Sequence, residues 1–149
     1  MEPVQLRISS AAFADGEYIP VKYTCDGLNI NPPLDIEGVP VEAQSLALIV
    51  DDPDAAAGTW VHWVMWSIPV AKHLAENHIP GQEGINDFRK QHYGGPCPPG
   101  GTHRYYFKVY AVDTTLHLPA STNKVQLENA MRGHIVGYGA LMGRYERSR

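Results

Sequence analysis

The sequence predicts one mainly β domain closed by a C-terminal helix, and three observations carry that reading. First, 12 prolines and 14 glycines are scattered through 149 residues, with short β-branched or aromatic runs between them. That is the pattern of short strands joined by turns. Second, no repeat, low-complexity tract or linker divides the chain, whose length suits a single core buried without metal or disulfide staples. Third, beyond Asn123 apolar residues recur every three or four positions, the period of a helix.

The clearest strand is "SLALIVDD" at 45–52. It is apolar on both faces from Leu46 to Val50, so it reads as a central strand covered on both sides. "WVHWVMWSI" (60–68) and "HRYYFKVYAV" (103–112) are two more strands, and Val4–Ile8 and Tyr18–Tyr23 are weaker candidates. "DGLNINPP" (26–33) is a turn-rich connection in which Pro32 and Pro33 forbid helix. In the last part, Leu127, Met131, His134, Tyr138, Leu141 and Tyr145 mark one helical face, and Asn123 with Gln126 resembles a capping box. Gly133, Gly137, Gly139 and Gly143 weaken this helix, which is expected to bend or break in two.

A net charge of −4 and a pI near 5.9, with no lysine or arginine run, exclude nucleic acid or an anionic membrane as the main partner. No apolar stretch approaches a membrane span, and the N-terminus lacks the features of a secretion signal. The default expectation is therefore the cytoplasm. In that reducing setting Cys25 and Cys97 read as free thiols, with a single bridge between them left open.

Strand period two locates a candidate site. Trp60, His62, Val64 and Trp66 should share one face of their strand, and His103, Tyr105, Phe107 and Val109 one face of theirs. Each face starts with polar or amphipathic residues and continues into apolar ones, so it is open at the end and buried in the middle. The strand at 45–52 delivers Asp51, Asp52 and Asp54 at its exit, where Pro53 fixes the chain. Antiparallel neighbours would gather Asp52, Asp54, Trp60, His62, His103 and Tyr105 at one edge. Beside them lies "HYGGPCPPGGTH" (92–103), rigid and almost side-chain-free. In it Gly94 and Gly95 offer amides to an anion, and prolines such as Pro96 hold them still. Two readings stand for Asp54, ligand contact or turn former, and Arg104 reads as a structural ion pair.

Hydrolysis has little to support it. There is no G-x-S-x-G elbow, and Cys97 has no positive neighbour to lower its pKa. No H-E-x-x-H or C-x-x-C spacing points to a metal, and no Gly-rich nucleotide loop is present. No catalytic residue, metal ligand or cofactor is assigned.

The blocks "YTCDGLNINPPL", "SLALIVDDPDA", "WVHWVMWSIP", "GINDF", "YGGPCPPGGTHRY" and "LMGRYER" run nearly end to end. In that order they resemble the phosphatidylethanolamine-binding protein family, in its bacterial and archaeal Raf-kinase-inhibitor-like branch. The resemblance implies a Greek-key antiparallel β-sandwich with a C-terminal helix, one domain over 1–149, and a small anion pocket at one end. Ligand residues carry over onto Asp52, Asp54, Trp60, His62, His103 and Tyr105, with Gly94, Gly95 and Pro96 as the pocket's backbone. The implied ligand is a phosphate-like anion or a phosphoethanolamine-type phospholipid head group, bound without a cofactor or an accepted reaction. The resemblance also implies a protease- or kinase-inhibiting role as a rival reading, and a homodimer as a partner state. Two departures from the branch stand out: Ala56 replaces the proline usual after "DPDA", and Arg89 and His92 stand where glycine is common.

Overall fold

The computed structural model describes residues 2–147. Its strands are β1 (Val4–Gln5), β2 (Arg7–Ser9), β3 (Leu34–Glu37), β4 (Ser45–Asp52), β5 (Trp60–Ile68), β6 (His73–Leu74), β7 (Gln82–Glu83), β8 (His103–Val112) and β9 (Ile135–Tyr145), with one helix, α1 (Lys124–Met131), before β9. A six-stranded sheet has the order β1-β9-β8-β4-β5-β7, and a three-stranded sheet has the order β2-β3-β6. All pairings are antiparallel except β1 with β9.

The sheets form a sandwich because each buries an apolar face against the other. Ile8, Leu34, Ile36 and Leu74 of the small sheet meet Leu48, Val50, Met65, Phe107 and Val109 of the large one in a single core. A second core covers the other side of the large sheet, where Ala47, Ile49, Val64 and Trp66 pack against Leu127 and Met131 of α1. Strand β4 is therefore buried at every position, as its unbroken apolar run predicts.

The helix is present but shorter than its periodicity suggests. Its capping box forms as expected, with the Gln126 amide donating to Asn123 Oδ1 (2.9 Å) and the Asn123 amide to Gln126 Oε1 (3.0 Å). It stops at Met131, before Gly133 at φ +83°, and residues 135–145 form β9 instead. The glycines explain the difference. A Cβ on Gly139 would lie 2.4 Å from the Leu6 carbonyl oxygen, so small residues let the N-terminal strands close over β9. Tyr18–Tyr23 is corrected too: Tyr18 makes one bridge to Arg144, and Val21–Tyr23 is a 3-10 turn following Pro20.

Candidate functional site

Three strand ends meet at one edge of the large sheet. Strand β4 runs antiparallel to both β5 and β8, so Asp52 lies opposite Trp60 and Asp51 opposite Tyr106. Residues Asp52, Trp60, His62, His103 and Tyr105 line a cavity of about 320 Å³, whose other walls are Ala55–Ala57, Phe88, Cys97, Pro98 and Pro99.

His62 reaches it through a bulge. Asp51 pairs with Val61 and Val50 with Trp63, which leaves His62 as one extra residue in β5. The bulge breaks the expected alternation. Trp63 and Met65 continue into the core between the sheets, while Val64 and Trp66 turn to the α1 side. His62 is only 4% exposed, and its Nδ1 donates to the Gly94 carbonyl at 2.6 Å. Its Nε2 is then the acceptor of the neutral ring. Burial lowers the His62 pKa, and the Gly94 carbonyl offsets this only in part.

His103 Nδ1 bonds Asp52 Oδ2 at 2.6 Å, and the other oxygen of Asp52 accepts the Asp54 amide at 2.7 Å. Asp52 is thus a buried carboxylate with both oxygens engaged, and it orients the imidazole. The Tyr105 ring lies against both histidines, its centroid 5.2 Å from His62 and 6.4 Å from His103. Its side chain is 0% exposed, and its hydroxyl has no hydrogen-bond partner. The Cys97 backbone faces that hydroxyl without closing a hydrogen bond, and burial pushes the phenol pKa up, so the group stays a donor.

The other predicted residues stand behind the cavity. Asp54 grips Arg104, its Oδ2 accepting from the Arg104 amide and Nε at 2.9 Å and its Oδ1 from a terminal guanidinium nitrogen at 2.8 Å. These bonds hold its pKa down at about 2 and tie the turn after β4 to β8. The amides expected to meet an anion are occupied. Gly94 donates to the His62 carbonyl (3.1 Å) and Gly95 to Asn29 Oδ1 (2.8 Å), and Pro96 accepts from the Cys25 amide (3.1 Å). Both glycines are there for close approach. A Cβ on Gly94 would meet the Phe88 ring at 2.6 Å, and one on Gly95 the Tyr23 carbonyl at 2.5 Å. Sequence reading overestimated the loop as a donor array because it could not see these contacts.

It also missed two walls. Phe88 packs edge-on to Trp60 (centroids 5.5 Å) and His62 (5.3 Å) and is 38% exposed. Buried Asn86 places it: Oδ1 accepts the Phe88 and Lys90 amides, and Nδ2 donates to the His62 and His92 carbonyls. The quoted block "GINDF" held that signal. Within the same loop Arg89 has φ +61°, the left-handed conformation that favours glycine. The second wall corrects the free-thiol reading, since Cys25 and Cys97 form a disulfide with Cα atoms 5.4 Å apart.

The sequence pattern of the family described as phosphatidylethanolamine-binding protein matches residues 9–146. This chain belongs to that family. A UPF0098 protein from Pyrococcus horikoshii is 49% identical over 158 residues, covering 98% of this chain and 79% of that one. One from Methanothermobacter thermautotrophicus is 45% identical, covering 95% and 99%. The crystal structure of a family homologue from Chlamydia trachomatis superimposes with a TM-score of 0.93 at 42% identity, over 97% of this chain and 99% of that one. Escherichia coli YbcL, described as a new member of the mammalian family, gives 0.88 at 26% identity, over 96% and 99%. A carboxypeptidase Y inhibitor solved with its cognate proteinase shares the fold alone, at a TM-score of 0.62 and 16% identity. No described helix is long and apolar enough to cross a membrane, and no described cluster of His, Cys, Asp and Glu suits a metal ion.

Proposed function

We propose that the cavity binds a small phosphate-like anion, free or as a phospholipid head group of the phosphoethanolamine kind, and carries out no reaction on it. The observation that carries this reading is the Tyr105 hydroxyl, a buried donor with no acceptor in a cavity lined by His62 and His103. A buried polar group without a partner is costly, and a ligand oxygen would satisfy it. Each histidine has Nδ1 committed and keeps Nε2 for a ligand, donating from it to an anion oxygen once the ring is protonated. Asp52, the group that ought to repel an anion, has both oxygens occupied and supports His103 instead. A cationic head-group amine suits the Trp60 and Phe88 rings at the mouth.

Binding without turnover fits the lining, which offers no hydroxyl nucleophile besides the phenol and holds its one sulfur in a disulfide. No observation in the fold favours a protease- or kinase-directed role over the cavity.

Calorimetric titration with phosphate and with phosphoethanolamine tests the proposal. Saturable heat in the wild type, lost in His62→Ala, is the expected result. Absence of heat from either ligand up to millimolar concentrations, where weak sites still register, would remove it.

A further inference from the structure

We propose that the Cys25–Cys97 disulfide is a redox latch on this cavity: a dithiol reductant that opens it loosens the Cys97–Pro99 wall and weakens anion binding. The affinity part rests on the anion reading above; the loosening of the wall stands on geometry alone.

Cys97 is the only disulfide residue in the lining, and it sits at a mechanical boundary. On its N-terminal side the loop is densely tied. Gly94 exchanges bonds with His62, Gly95 donates to Asn29, Pro96 accepts from Cys25, and the Tyr93 hydroxyl donates to the Tyr23 carbonyl. On its C-terminal side, residues 97–101 make no backbone–backbone hydrogen bond among the described residues before β8 begins at His103. Pro98 and Pro99 have no amide to offer. The covalent bond to Cys25 therefore holds this half of the wall over Tyr105, whose hydroxyl faces the Cys97 backbone. Without it the Cys97–Pro99 wall is free to shift, and the hydroxyl and the wall no longer present one fixed shape to a ligand, so binding must order them again.

The bond is also reachable. Both cysteines are partly exposed: Cys25 directly precedes exposed Asp26 and Gly27, and Cys97, between buried Pro96 and Pro98, lies two residues before exposed Pro99 and Gly100. A thiolate of the reductant attacks one sulfur, breaking the Sγ–Sγ bond and forming a mixed disulfide. The reductant's second thiolate then closes its own cyclic disulfide. Both cysteines leave as protonated thiols, and the reductant is oxidised by two electrons. Linkage makes the coupling reciprocal: a ligand that prefers the latched form makes the disulfide harder to reduce.

The experiment compares the full chain oxidised and reduced by dithiothreitol, using amide hydrogen exchange and phosphoethanolamine titration. Reduction is expected to speed exchange at Cys97 and Gly100–His103 while leaving β4 and the middle of β8 protected. It is also expected to weaken phosphoethanolamine binding by roughly tenfold, the size of a typical coupling. Cys25→Ser should match the reduced protein in both readouts and ignore the reductant. If that variant does not fold, the two states of the wild type still decide. Unchanged exchange in the wall overturns the latch, and so does faster exchange throughout the fold, which would make the bond a general staple. If neither state binds phosphoethanolamine, the anion reading falls, and exchange alone judges the latch.

Discussion

His103 Nδ1 and Asp52 Oδ2 lie 2.6 Å apart, joining the first residue of β8 to the last of β4 at the cavity. The bond fixes which nitrogen of His103 faces a ligand, and Asp52 also caps the turn through the Asp54 amide. Asp52→Asn keeps the shape but turns a charge-assisted bond into a neutral one. We expect a loss of about 2 kcal/mol in urea denaturation, together with weaker anion binding by titration.

Tyr105→Phe separates stability from binding. Because the hydroxyl is buried without a partner, its removal should leave the free protein as stable or more stable, by about 1 kcal/mol. Anion affinity should fall at the same time. Loss of both together would mean that the hydroxyl has an internal partner and is not reserved for a ligand.

His62 gives stability a pH signature. Burial holds its folded pKa below the ordinary 6.5, so between that lowered value and 6.5 the unfolded chain binds a proton that the folded one does not. Its contribution is therefore complete above 6.5 and is lost as pH falls through the window. Urea midpoints for the wild type and His62→Gln should diverge least in acid. Asp54 acts elsewhere: its carboxylate stabilises above its ordinary 3.8, and that contribution is lost as pH falls through about 2. Anion binding favours protonated His62, so binding heats measured near pH 6.5 should vary with the buffer's ionisation enthalpy.

Gly94→Ala and Gly95→Ala should differ in cost. The new methyl at Gly94 meets the Phe88 ring, which is partly exposed and can swing away, so about 1 kcal/mol is expected. At Gly95 it meets the Tyr23 carbonyl and the Thr24 backbone, which cannot move without breaking the loop, so about 3 kcal/mol is expected. Thermal unfolding of the two variants checks the order.

What the sequence made legible was what period and position alone determine. The doubly covered β4, the alternation of β8 from His103 to Val109 and the capping box at Asn123 all follow from local patterns. Convergence of Asp52, Trp60, His62, His103 and Tyr105 followed from antiparallel strand ends. Features set by distant contacts stayed hidden. Gly137, Gly139 and Gly143 broke the apolar rhythm of β9, since their value lies in approaches by Leu6, Phe13 and Ile19. The His62 bulge, the Gly94 and Gly95 amide partners and the Cys25–Cys97 bond likewise depend on chain segments far apart.

The central claim is that a phosphate-like anion sits between the Tyr105 hydroxyl and the two histidines. Crystals of the oxidised protein soaked in phosphoethanolamine test it most directly. The account predicts phosphate density with an oxygen within hydrogen-bond distance of the Tyr105 hydroxyl and of Nε2 of His62 or His103. An empty cavity at saturating ligand, or phosphate bound only elsewhere, would contradict it.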